Sequence, residues 1–226
     1  MTLSLARSLQ RALAEHADKD IAAGQFAYMK GVQPFRGMKT PERRALLREC
    51  LAAHPVTDAD TYRANIRALW SGSFREERYL ALDIAARVKA FRAGALPLFE
   101  EMLATADGWD VLDPLAADLL GGALRGKREL LAQRIRQWRR SDRSWTRRAA
   151  LLVQLKYKDE TDADLLEETI LQLAHETDFF IRKAIGWTLR EYAKTDPRRV
   201  EQFVYAHRDA LSPLSRREAL KRLEQV

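Results

Sequence analysis

Six segments of the chain, PERRALL, FREERYLAL, WDVLDPLA, TRRAALL, IRKAIGW and SRREALK, stack without gaps around one column. That column reads Arg44, Arg78, Asp113, Arg148, Lys183 and Arg217, at spacings of 34, 35, 35, 35 and 34 residues. Two positions on, the residues are Leu46, Leu80, Leu115, Ala150, Ile185 and Ala219, apolar throughout. The next column (Leu47, Ala81, Ala116, Leu151, Gly186, Leu220) is small or apolar. A period of this length, with an apolar face that one unit cannot bury alone, is the signature of stacked helix pairs. Helical spacing of apolar residues in ERRALLRECLAAH, LLEETILQLAH and RKAIGWTLREYA agrees, and strand-like alternation is nearly absent. The expected fold is all-α: an α-solenoid of six HEAT-like units of about 35 residues, forming a single domain over 1–226 with a basic concave face. The tetratricopeptide pattern of Trp, Gly and Tyr is missing.

The column carries a second message. Five units place a cation there and the third places Asp113, in the stretch DGWDVLDPLAADLL. Asp-Pro is an ordinary helix opening, with Asp113 as N-cap and Pro114 at the first helical position. A cap, however, tolerates Ser or Thr equally, whereas an anion at a place the other units fill with cations has its own electrostatic consequence. Both readings stand at this point: Asp113 starts a helix, or it does chemistry.

Composition narrows the partners. The net charge is +7, and residues 125–148 hold ten Lys or Arg against only Glu129 and Asp142 within the segment. A basic stripe that dense points to a polyanion, usually nucleic acid, unless it is only a solvated helix face. Cys50 is the only cysteine and the four histidines are scattered, so neither a disulfide nor a metal site is expected. No apolar run reaches 18 residues, and the N-terminus reads as an amphipathic helix rather than a signal peptide. A reducing, cytoplasmic setting without membrane or metal follows as the expectation. Trp70 and Trp138 read as packing. Trp109 lies four residues before Asp113 and Trp187 four after Lys183, each about a turn from the charged column. Aromatic faces beside cations are common on nucleic-acid-binding surfaces.

The segments AYMKG (27–31), TPERRALL (40–47), WDVLD (109–113), RAALLVQLKYK (148–158), FFIRKAIGWTLREYAKTDP (179–197) and LSPLSRREALK (211–221) together resemble the AlkD-like DNA alkylation repair glycosylases. The resemblance spans almost the whole chain. It implies a HEAT-like solenoid that cradles duplex DNA and releases N3-alkyladenine and N7-alkylguanine by hydrolysis, without metal or cofactor and with the base largely stacked. It assigns the catalytic carboxylate to Asp113 and the tryptophans at the lesion's sugar to Trp109 and Trp187. Arg148 becomes a backbone-facing arginine and Tyr28 a residue near the lesion. With Arg44, Arg78, Lys183 and Arg217 as further phosphate contacts, the expected partner is duplex DNA containing alkylated purines, bound by a monomer associated with the nucleoid. Two alternatives remain: a non-catalytic DNA-binding HEAT-like protein that recognises unusual DNA structure, and a protein-binding helical scaffold.

Overall fold

A computed structural model describes residues 3–221, and among them there is no strand. Two compact units divide between Val111 and Leu112. The first contains α1 (Ser4–Glu15), α2 (Lys19–Tyr28), α3 (Thr40–Ala53), α4 (Ala59–Trp70), α5 (Arg75–Arg87) and α6 (Leu96–Thr105), and the divide falls inside α7 (Trp109–Pro114). A π-helical turn, Leu115–Leu120, runs on into α8 (Gly121–Leu124). Then come α9 (Arg128–Trp138), α10 (Ser144–Leu152), α11 (Ala163–Leu173), α12 (Phe179–Tyr192), α13 (Pro197–Ala206) and α14 (Pro213–Leu220).

The periodic column falls in one register of this series. Its members are the fifth residues of α3, α7, α10, α12 and α14 and the fourth of α5. The two apolar columns behind it are the seams: Leu47, Leu80, Ala81, Leu115, Ala116, Ala150, Leu151, Ile185 and Ala219 are buried. Six helix starts follow local chemistry. Asp18, Asp58, Asp162, Asp178, Asp196 and Ser212 each accept backbone N–H groups from the first turn that follows.

In the first unit, Leu5, Leu9 and Leu13 of the amphipathic α1 pack on α3 and α4. Asn65 Oδ1, fully buried, accepts the Ala6 N–H at 2.8 Å. In the second unit, α12 meets α14 closely because Gly186 has no side chain: a Cβ there would lie 2.7 Å from the Ser215 carbonyl and closer still to Glu218 Cβ. Trp70 and Trp138 are buried, as packing residues should be.

One local reading is overturned. Asp113 is no N-cap; it lies in the interior of a helical run that begins four residues earlier, at Trp109. Pro114 stands inside that run and has no N–H for the Asp110 carbonyl, four residues back. The chain answers with the wider π-helical turn immediately after it, in which the Gly121 N–H reaches back to Ala116.

Candidate active site

All four carboxylates of the stretch 107–120 have cationic partners, and they sort into two places. In the first unit, Arg75 of α5 is 0% exposed and binds both Asp107 and Asp110. Its Nε and Nη2 donate to the two oxygens of Asp110 at 2.9 and 2.6 Å, and its Nη1 to Asp107 Oδ1 at 2.8 Å. The Tyr79 hydroxyl also donates to Asp110, and Arg78 pairs with Asp107. Burial and the bond to Asp110 push the Tyr79 phenol above its usual range. Burial alone would lower Arg75, but its bonds to Asp110 and Asp107 outweigh that and raise it. Gly108, at φ +89°, lets the backbone turn tightly between these partners. The result is a fixed start for α7 and for Trp109, 39% exposed, whose ring meets the 73% exposed Tyr28 edge-on at 6.5 Å.

In the second unit, Asp113 is bound two-to-two by Arg148 of α10. Nε donates to Oδ1 and Nη2 to Oδ2, both at 2.8 Å, the fork geometry in which guanidinium and carboxylate fix each other's orientation. Arg148 is 5% exposed and Asp113 14%. The third arm of Arg148 donates to the Phe180 carbonyl in the first turn of α12. Asp178 holds that turn from the other side by accepting the Phe180 N–H, and Trp145 packs on the Phe180 ring at 4.9 Å. Trp187, half-buried, follows Lys183 by one turn on α12. Asp118 pairs with Lys156.

The cationic column is therefore not a uniform row of open side chains. Arg44 and Arg217 are exposed. Arg78 is committed to Asp107 and lies over the Trp70 ring, Arg148 is committed to Asp113, and Lys183 pairs with Glu218 at 2.9 Å. Asp113, expected as an isolated anion among cations, is an ion-paired one. The basic run is also answered more fully than its own sequence suggests. Arg125, Arg128, Arg139 and Arg147 pair with Glu160, Asp162, Glu168 and Glu176, all from the segment that follows. Lys127, Arg136 and Arg140 are exposed.

Sequence reasoning missed Arg75, Asp110 and Tyr79. A signal was available: Arg75 and Asp110, Asp113 and Arg148, and Lys183 and Glu218 are opposite charges 35 residues apart, so one repeat period brings each pair together. Among the described residues no three His, Cys, Asp or Glu side chains gather to hold a metal ion, and no helix is long and apolar enough to cross a membrane.

The sequence matches, over residues 9–223, the family described as DNA alkylation repair enzyme. A solved structure, described as a predicted DNA alkylation repair enzyme from Enterococcus faecalis, is 32% identical. It superposes with a TM-score of 0.83 over 93% of this chain and 98% of its own. No curated protein matches significantly. Matched from α1 to beyond α14, the chain belongs to the DNA alkylation repair enzyme family.

Proposed function

We propose that this protein is a monofunctional DNA glycosylase that releases cationic N3-alkyladenine and N7-alkylguanine from duplex DNA. Membership of an alkylation repair family supports damaged DNA as its substrate class. The observation that carries the finer reading is Asp113, a carboxylate held in one orientation by Arg148 on a helix whose first residue is the exposed Trp109.

Alkylation at N3 or N7 places a positive charge on the purine and makes it a good leaving group. The C1′–N bond breaks with its electron pair going to the base, which departs neutral, and the deoxyribose takes on oxocarbenium character. A preorganised carboxylate favours that charge more in the transition state than in the ground state. Water, oriented by Asp113, adds at C1′ and gives up its proton to the surrounding solvent. The aromatic faces of Trp109 and Trp187 add attraction for the developing cation. Because the carboxylate acts on the sugar, the base has no need to leave the stack. Arg148 then serves chiefly to aim Asp113, and the phosphate contacts, which fix register without reading sequence, fall to the exposed Arg44 and Arg217 and to Lys183, which stays 39% exposed beside Glu218. No metal or cofactor enters this chemistry, and a single chain acting on chromosomal DNA in the cytoplasm suffices.

The test is a panel of duplexes carrying N7-methylguanine, a larger N7 adduct, uracil or hypoxanthine, each assayed for single-turnover base release. Both cationic lesions should be released and both neutral bases retained, since the neutral bases need groups that stabilise the leaving base itself. Efficient release of uracil or hypoxanthine, or rejection of the larger cationic adduct, overturns the mechanism. The ion pair also favours a second reading, in which Asp113 only ties α7 to α10 in a non-catalytic DNA-binding protein. That protein would bind all four duplexes and release nothing.

A further inference from the structure

We propose that Arg75, acting through Asp110 and Tyr79, is a positioning residue that holds Trp109 for base release; the inference rests on the glycosylase reading above. The geometry is specific to Trp109. Arg75 grips the residue two before it, Asp107, and the residue after it, Asp110, so one guanidinium brackets the tryptophan along the chain. Between them, a Cβ added at Gly108 would lie 2.7 Å from Arg75 Nη2 and 2.8 Å from Asp110 Oδ1, so the ion pair fills the place of a side chain there. The same point lies 3.6 Å from Met29 Cε, next in sequence to Tyr28, whose ring meets Trp109. Gln33 Oε1 accepts from Arg75 Nη1 at 3.4 Å and completes the enclosure.

The repeat supplies an internal comparison. Three residues before the charged column, the six units carry Pro41, Arg75, Asp110, Trp145, Phe180 and Leu214. Arg75 and Asp110 meet as an ion pair, one period apart. Trp145 and Phe180 hold the equivalent relation, one period apart again, and meet as tilted rings with centroids 4.9 Å apart. The fold thus fills this position with an apolar pair where packing alone is required. An ion pair with its arginine fully buried and its carboxylate nearly so is a poor substitute for apolar packing in stability, since desolvation offsets much of its attraction. What it adds is direction: five donors and two carboxylates admit one arrangement, whereas apolar side chains slide. The only pair of this column built from charges is the one that flanks an exposed tryptophan.

The decisive variant replaces the ion pair by an apolar one, Arg75→Met with Asp110→Leu, alongside Tyr79→Phe, Trp109→Ala and the triple combination Arg75→Met/Asp110→Leu/Trp109→Ala. Three quantities are read: melting temperature, duplex affinity, and single-turnover release of N7-methylguanine at saturating enzyme. The double variant should melt within about 4 °C of the wild type, bind duplex as before, and release base at least ~10-fold more slowly, because small misplacements are heavily penalised in reacting geometry. Adding Trp109→Ala to it should cause little further loss. Full rate in the stable double variant, or losses that simply multiply with Trp109→Ala, overturns the proposal. If the double variant does not fold, Tyr79→Phe decides, with a slower rate expected in a protein that is still folded at the assay temperature and an unchanged rate contrary.

A wild-type protein that releases no base defeats the glycosylase reading instead. The placement of Trp109 is then read from its 5-fluorotryptophan resonance, assigned with Trp109→Phe. That signal should be single and sharp in the wild type and broadened or split in the double variant. An identical signal in both counts against Arg75.

Discussion

Asp113→Asn separates the two things the carboxylate does. The substitution keeps one acceptor oxygen for Arg148 but turns the other toward it as an NH2, so a donor faces a donor where a 2.8 Å bond stood. Hydrogen bonds to charged groups contribute about 1.5–3 kcal/mol each, and leaving a buried ion pair with one partner costs about 3–5 kcal/mol. With Arg148 only 5% exposed and one bond retained, we expect a loss of about 2–4 kcal/mol, between those limits. For a chain of this size that is a fall in melting temperature of roughly 5–15 °C. Base release should fall about 10²–10³-fold, as when one preorganised electrostatic group is removed. Adding Arg148→Gln removes the uncompensated guanidinium and replaces the ion pair by two amides. Thermal melts of the two single variants and the double should therefore show a favourable coupling of about 1–3 kcal/mol, while single-turnover assays show no recovery of rate. A double variant whose destabilisation is merely the sum of the singles would refute the coupling. Near-normal release by Asp113→Asn would leave Asp113 as a tie between helices and nothing more.

Two further outcomes follow from the packing of α12 on α14. Gly186→Ala should lower the melting temperature although alanine favours helix, because its Cβ meets Glu218 Cβ and the backbone carbonyl of Ser215, neither of which can turn away by a rotamer change; a loss of about 1–3 kcal/mol is expected of such overpacking, and an unchanged or higher melting point would contradict the close approach. Glu218 is held below the usual carboxylate range chiefly by its bond to Lys183, with Arg190 adding to it. A carboxyl depressed in the folded state stabilises above its unfolded value, about 4.3, and loses that contribution as pH falls through its folded value. The melting temperature gap between wild type and Glu218→Gln should therefore be wide at neutral pH and close as the solution is acidified, and a gap constant across that range would remove Glu218 from the account.

The repeat was legible because it is written in apolar residues at a fixed period, and burial is what those residues do: Leu80, Leu115, Ile185 and Ala219 all lie in the seams. The start of α7 was misread for a local reason. Asp113-Pro114 has the chemistry of a helix opening, but the run begins at Trp109, where Arg75 pins the chain from another helix. A residue 35 positions away is outside any local pattern. The same distance hid the partner of Asp113 and the acids that answer the basic run, since charge counted along a segment ignores what the next turn of the repeat brings beside it. Trp70 and Trp138 were legible as packing, and the exposure of Trp109 and Tyr28 accords with their lying outside the core. The bracket around Trp109 was not legible, because it consists of contacts rather than of a motif.

The seams between successive units also say something about how such a chain can change. Repeat arrays are commonly lengthened or shortened by whole modules, since each contacts only its neighbours. Here the neighbours are keyed differently: Arg75 to Asp110, Asp113 to Arg148, Trp145 to Phe180, Lys183 to Glu218. Excising one period around the third unit would set Arg78 in the relation to Arg148 that Asp113 now holds, guanidinium facing guanidinium in a nearly closed seam. The modules are alike in shape but not interchangeable in content. The chain is periodic without being modular, because the partners of one seam do not match those of the next.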